Sequence, residues 1–370
     1  MKEMRKYVII LAAAVAMTAC SKTEVIPAHN DTLAEITYET APVTRTVVEF
    51  GKNNVFSSIA YYLENGKTWD WGVATSPVVY IGAYDAESGS TDGVKISKSG
   101  NVWRNADRKY YWPKKGTLTF FAWSLNSDSL ELNFPATAQA GVFCTPYSGI
   151  IMNHFSTVLN KNVDFMVADI AKDKTANETE YIKISGVESG VPTLFRHKLT
   201  NIYFTVKQEE DYSGVKFTLG SIIFRNLSNT GNYDQVSDKM EAMTASGYRS
   251  DQTYAADANQ VVTVDKKPIA ADKVDQFIYI PQTFTSDNQT VEITYTVEYT
   301  TSTGETITEK ITESKKLSEL FKTSAGDNTG EWAKEKKYTI DLTFALDEIL
   351  WDPAVQDWDP VDSEDITVNK

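Results

Sequence analysis

The groups in this 370-residue chain able to carry chemistry are two cysteines, three histidines and an excess of carboxylates. Cys20 is the most telling of them by position. It follows Met17-Thr18-Ala19, after a basic start (Lys2, Arg5, Lys6) and an apolar run over residues 7–17. That run is shorter than the roughly 20 apolar residues needed to span a bilayer. It predicts a cleaved export signal that ends just before Cys20. With Cys20 set aside at the end of the signal, Cys144 has no partner for an intramolecular disulfide and reads as a small buried hydrophobe. His29, His154 and His197 have no Cys or His at ligand spacing, so no zinc site is expected. No Gly-rich phosphate loop follows a strand, and no Gly-x-Ser-x-Gly elbow occurs. A carboxylate pair for glycoside hydrolysis stays open among so many acids, but exposed acids are mostly solvated surface. These residues point away from an enzyme, and no catalytic residue, cofactor or metal ligand is assigned.

Aromatic side chains offer a different chemistry, stacking. Trp69, Trp71, Trp103, Tyr110, Tyr111, Trp112 and Trp123 gather in the first third of the chain. Trp123 lies in an apolar run and reads as core, where large rings dominate packing. Tyr111 and Trp112 precede Pro113 and Lys114-Lys115-Gly116, a strand end or loop of the kind that carries binding residues. They are the candidate ligand-contact aromatics, suited to a sugar face.

The elements that would hold these side chains are strands. Residues 117–123 (Thr-Leu-Thr-Phe-Phe-Ala-Trp), 164–168, 199–206 and 215–224 are short apolar runs rich in β-branched and aromatic residues. Val291, Ile293, Tyr295, Val297 and Tyr299 alternate with polar residues, a period of two. Thr301-Ser302-Thr303-Gly304 then turns the chain into a second alternating run, a hairpin. Tyr338, Ile340, Leu342 and Phe344 repeat the period. Helical signal is confined to a short stretch over residues 315–322. The pattern predicts β-sandwiches, and the length suits two of them. The expected division is a signal over 1–19, a tether over 20–45, a first sandwich over 46–190 and a second over 191–370, with the Gly/Ser/Pro-rich stretch 186–192 as boundary. Net charge is −14, and near −16 once residues 1–19 are removed. Such acidity argues against nucleic acid, whose affinity rests on Lys and Arg at phosphates. It suits a self-repelling surface protein.

Met17-Thr18-Ala19-Cys20 resembles the lipobox of bacterial lipoproteins, with Met17 where Leu is usual. Ser21-Lys22-Thr23-Glu24 resembles the signals that send some lipoproteins to the outer face. Further on, Tyr110-Tyr111-Trp112-Pro113 followed by the 116–123 run is similar to the N-terminal domain of the fimbrillin family, the pilin lipoproteins of type V pili. Asp164-Phe165-Met166-Val167-Ala168, Leu194-Phe195-Arg196-His197-Lys198-Leu199 and Phe277-Ile278-Tyr279-Ile280-Pro281-Gln282 resemble later elements of that family. Trp332, Lys337-Tyr338 and Val355-Gln356-Asp357-Trp358 resemble its C-terminal end, and His197 belongs to this pattern as a structural residue.

The resemblance implies two tandem transthyretin-like β-sandwich domains and assembly by strand exchange with other pilin subunits. It implies that a trypsin-like protease cuts after an Arg near the N-terminus, here between Arg45 and Thr46. The cut removes the lipid anchor and the first strand and opens an apolar groove. An extended strand of a neighbouring subunit fills that groove by β-augmentation. The candidate donor is Ile366-Thr367-Val368, although the tail beyond Trp358 has only twelve residues, interrupted by Asp359, Asp362, Glu364 and Asp365. That departs from a long donor strand and leaves tip, anchor and accessory positions open beside the stalk. The expected location is the outer membrane through lipid on Cys20, then the cell surface, where a host or bacterial ligand is a further partner. The alternative is a surface glycan-binding lipoprotein that does not polymerise and stacks sugar on Tyr111 and Trp112.

Overall fold

The strands Val55–Leu63 and Thr117–Ser124 run antiparallel, paired from Phe56↔Ser124 to Leu63↔Thr117. Their near-continuous apolar sequence has a structural cause, since both faces of this pair are covered. In the computed structural model, which describes residues 34–40, 51, 53–71, 77–137, 140–176, 190–322 and 330–358, they lie at the centre of a large first sheet. Its path is Val191–Pro192, Tyr38–Glu39, Val102–Asn105, Val94–Ser99, Val55–Leu63, Thr117–Ser124, Met166–Ala168 and Phe195–His197. The two ends of that path, Pro192 and Phe195, are neighbours in the chain, so the sheet curls round on itself. Inside the curl sit Phe56, Ala60, Ile96, Trp103, Phe120, Met166 and Phe195. On the opposite face, Ile59, Tyr61, Leu63 and Phe121 belong to a second core.

That second core is closed by a four-stranded sheet drawn from distant parts of the chain. Gly141–Thr145 and Gly149–Ser156 pair with each other, and Gly149–Ser156 also pairs with Thr230–Asp234, which in turn pairs with Lys239–Ala242. The third core lies between two five-stranded sheets. One contains Thr200–Gln208, Lys336–Phe344 and Ile349–Asp357, the first two parallel. The other contains Val215–Ser228 and the Thr290–Thr300/Thr306–Lys316 hairpin. Phe204, Phe217, Phe224, Ile293, Trp332, Ile340 and Phe344 fill the space between them. Leu317–Leu320 is a single helical turn. The fold is all-β, as the alternating sequence pattern predicts.

Three features depart from the expected division. Residues 34–40 were expected to be tether but lie within the first sheet, through the bridge at Glu35 and the strand Tyr38–Glu39, with Ile36, Tyr38 and Thr40 alternating inward. The 191–192 and 195–197 strands belong to the first sheet, so the chain passes to the next sheet only between His197 and Thr200, beyond the expected boundary at 190/191. The 230–242 hairpin, expected in the second sandwich, completes the sheet that covers the first.

Candidate functional site

The segment 34–40 acts as a strap, seated between two strands of the first sheet. The Ile36 N–H donates to the Tyr110 carbonyl at 2.8 Å, and the Trp112 N–H donates to the Ala34 carbonyl at 3.0 Å. On the other side, the Val191 N–H donates to the Thr37 carbonyl at 2.7 Å and the Thr193 N–H to the Glu39 carbonyl at 2.8 Å. Tyr38 lies opposite Trp103 in an antiparallel pairing and opposite Val191 in a parallel one. Main-chain groups on both flanks are thus satisfied by the strap, and its loss would leave two open ladders.

Its inward side chains enter the curled sheet. Ile36 is 3% exposed and Tyr38 4%. The Tyr38 ring meets Phe56 and Phe120 edge-on, at centroid distances of 5.4 and 6.0 Å. Burial pushes the Tyr38 phenol well above its ordinary range. Burying an aliphatic or aromatic side chain of this size contributes about 1.5–3 kcal/mol. At the strap's start, Glu35 faces Arg104 Nη1 at 3.4 Å and Lys109 Nζ at 3.6 Å. Gly190 supports the strap from below. A Cβ there would stand 2.6–2.9 Å from the Tyr38 backbone, so only glycine permits the approach.

Of the sequence-assigned residues, Tyr111 and Trp112 lie at this strap. Trp112 is 8% exposed and its ring packs on Phe120 at 5.7 Å. It serves the core beneath the strap and has no open face for a sugar ring. Tyr111 is half-buried, bridges to Glu35, and its carbonyl accepts the Tyr80 hydroxyl. Cys20, Arg45, Thr46, Ile366, Thr367 and Val368 lie outside the described residues. Chain order nonetheless places Arg45 between the strap and the strand at 55–63. Ile36 and Tyr38 were not singled out from sequence. The available signal was the alternation Glu35-Ile36-Thr37-Tyr38-Glu39, short and lost in a polar segment.

A second constellation joins the sheets. His197 Nδ1 lies 2.8 Å from Asp164 Oδ2, and its ring stacks on Trp358 with centroids 3.8 Å apart and planes at 5°. The neighbouring Lys198, 3% exposed, reaches Asp238 at 3.0 Å and Glu335 at 3.1 Å. Lys334 reaches the same two acids at 2.6 and 2.7 Å. Burial alone would raise the Asp238 and Glu335 carboxyls, but hydrogen bonds and charge from Lys334 and Lys198 hold both below their ordinary values. This arrangement fixes one sheet to another and leaves no reactive group open. Cys144 is buried and free, its thiol pushed up to about 12 by burial and so held inert. Among the described residues, no group of three or more His, Cys, Asp or Glu is placed to hold a metal ion.

A fimbrial protein from Bacteroides vulgatus shares the fold, with a TM-score of 0.58 at 16% identity over 88% of this chain and 99% of that one. A candidate cell adhesion protein from Bacteroides uniformis superposes with a TM-score of 0.45 at 14% identity over 90% and 100%. One from Bacteroides ovatus gives 0.44 at 15% over 88% and 96%. No curated protein sequence matches the chain. The fimbrillin-like family matches residues 65–358, a span that runs from the first sheet through Trp358, and the chain belongs to that family.

Proposed function

We propose that this protein is a structural and adhesive subunit of a type V pilus. It is exported as a lipoprotein on Cys20, displayed at the outer membrane, and assembled with other pilin subunits after a trypsin-like protease cuts between Arg45 and Thr46. One observation carries the reading. The strap fills an interior place in the first sheet, yet it lies upstream of Arg45 and is joined to the rest of the fold only through that segment of chain. A cut there makes the strap a separate strand, held by main-chain bonds and the buried side chains of Ile36, Tyr38 and Thr40. A neighbour's strand can replace those interactions in kind. Membership of the fimbrillin-like family supports the same reading.

The test is a titration of the purified precursor with a trypsin-like protease. New N-termini are read by mass spectrometry and sizes on an unboiled gel. A new terminus at Thr46 with a ladder of SDS-resistant multimers is expected. A chain that stays uncut at Arg45, or assembled surface material that keeps residues 20–45, overturns the proposal.

A further inference from the structure

We propose that a cavity at the seam between the 230–242 hairpin and the 282–284/330–332 strand pair binds an acidic sugar, a hexuronic acid residue of a glycan. The proposal gives the adhesive part of the function above a ligand class, and it depends neither on the strap nor on cleavage at Arg45. The cavity measures about 460 Å³, within the range of about 300–1,000 Å³ of small-molecule sites. One wall is Lys239–Ala242, an outer strand that pairs only with Thr230–Asp234. Another is the antiparallel pair Gln282–Phe284 and Gly330–Trp332. The groups that build the site's base are already committed. Trp332 is 1% exposed and is held edge-on among Phe224, Phe284 and Phe321, at centroid distances of 5.0, 5.1 and 5.7 Å. Gln282 Oε1 accepts the Ser228 N–H at 2.9 Å, and Gln282 Nε2 donates to the Ser228 carbonyl at 3.2 Å. Lys334 is taken by Asp238 and Glu335.

The other charged groups of the lining are Lys239, Glu241, Arg249 and Glu331. None of these four makes an ion pair among the described residues, and the only hydrogen bond from their side chains runs from Arg249 Nε to the Thr244 carbonyl at 3.0 Å. In a chain of net charge −14, Arg104, Arg196 and Arg225 each reach an acid. The Arg249 guanidinium does not, although Glu241 and Glu331 line the same cavity. Charges of both signs are therefore held apart around one space, and that combination selects the ligand. A guanidinium anchored through Nε presents its Nη donors to a planar carboxylate. Two unpaired carboxylates accept hydrogen bonds from hydroxyl groups. A compact ligand with one carboxylate and several hydroxyls, as in a uronic acid, meets both demands. A densely sulfated or phosphorylated polymer would face two acids, and a neutral sugar would leave the guanidinium unmatched.

The test is a calorimetric titration of the uncut chain with oligogalacturonate and, as a second source of uronate, with a hyaluronan oligosaccharide. The carboxyl-reduced forms of both serve as neutral controls, and an oligo-aspartate peptide tests for a protein ligand. Binding of at least one uronate at one site per chain is expected, and the one that binds identifies the source. Carboxyl reduction and Arg249→Gln should each weaken binding about tenfold or more, as expected for a lost charge-assisted hydrogen bond, and the two together no further than either alone. Glu331→Gln should weaken the acidic sugar and its neutral form alike. Glu331 is exposed, so its variant answers the question if Arg249→Gln does not fold. Failure of both uronates to bind overturns the proposal. So does binding that ignores both substitutions, equal binding of the reduced forms, or equal or tighter binding of the peptide. The protease-triggered ladder is read on the same proteins. A ladder without uronate binding removes this proposal alone, and uronate binding without a ladder removes the assembly reading alone.

Discussion

Ile36 and Tyr38 carry the strap's attachment, and their positions make its strength measurable. Both are almost fully buried in the curled sheet, and Tyr38 holds two edge-on ring contacts. Truncation leaves cavities beside Phe56 and Phe120. Ile36→Ala is expected to cost about 2–5 kcal/mol and Tyr38→Ala about 3–5 kcal/mol, read as a shift in the denaturation midpoint of the uncut chain. Midpoints unchanged in both variants would mean that the strap adds nothing to the fold. Tyr111 and Trp112 show how one stretch of sequence supports two readings. Aromatics before a Pro and a Gly suit a stacking platform, but Trp112 turns inward onto Phe120. What decides between them is the strap lying over that segment, and residues 110–113 say nothing of its presence.

At the scale of elements, the strap is held by its neighbours as much as by its own side chains. Gly190 lies directly under the Tyr38 backbone. Backbone cannot yield as a flexible side chain can, so Gly190→Ala should lift the strap without altering any strap residue. The expected result is faster cutting at Arg45 under limited proteolysis, with the remaining strands intact by circular dichroism. Unchanged cutting kinetics would show that the strap's seat does not govern access. The Thr290–Thr300/Thr306–Lys316 hairpin is the opposite case, predictable from local sequence alone. Its register runs without a shift from Thr290↔Lys316 to Thr300↔Thr306, and Gly304 takes the positive φ of +82° that the turn requires.

For the whole molecule, the joint at Lys198, Asp238, Lys334 and Glu335 ties the end of the first sheet to the 230–242 hairpin and to the turn before the 336–344 strand. Burial opposes ionisation of Asp238 and Glu335, and the two lysines outweigh it, so both folded-state values lie below the unfolded ones. Groups shifted in that direction stabilise the fold above the ordinary carboxylate range of about 4 to 4.5. The contribution is lost as pH falls through the depressed folded values. Thermal midpoints measured between about pH 3 and pH 7 should therefore fall on the acid side. Asp238→Asn and Glu335→Gln should flatten that fall. Parallel profiles for wild type and both variants would exclude the joint as the source. Since the joint bridges sheets, its loss should loosen their coupling before the buried cores melt.

The chain by itself determined its β character, because period-two alternation and two-faced apolar runs are local properties that need no partner to be read. It also carried the family pattern, through His197, the 277–282 segment and Trp358. Tertiary structure decided the rest. That residues 34–40 are an interior strand depends on two flanking edges at 102–105 and 191–193, more than 60 and 150 residues away. That the 230–242 hairpin joins the sheet covering the first sheet depends on an open edge at 149–156. A short alternating segment becomes a strand only where unpaired main-chain groups and an apolar cavity await it, and both of those are made by parts of the chain far from the segment itself.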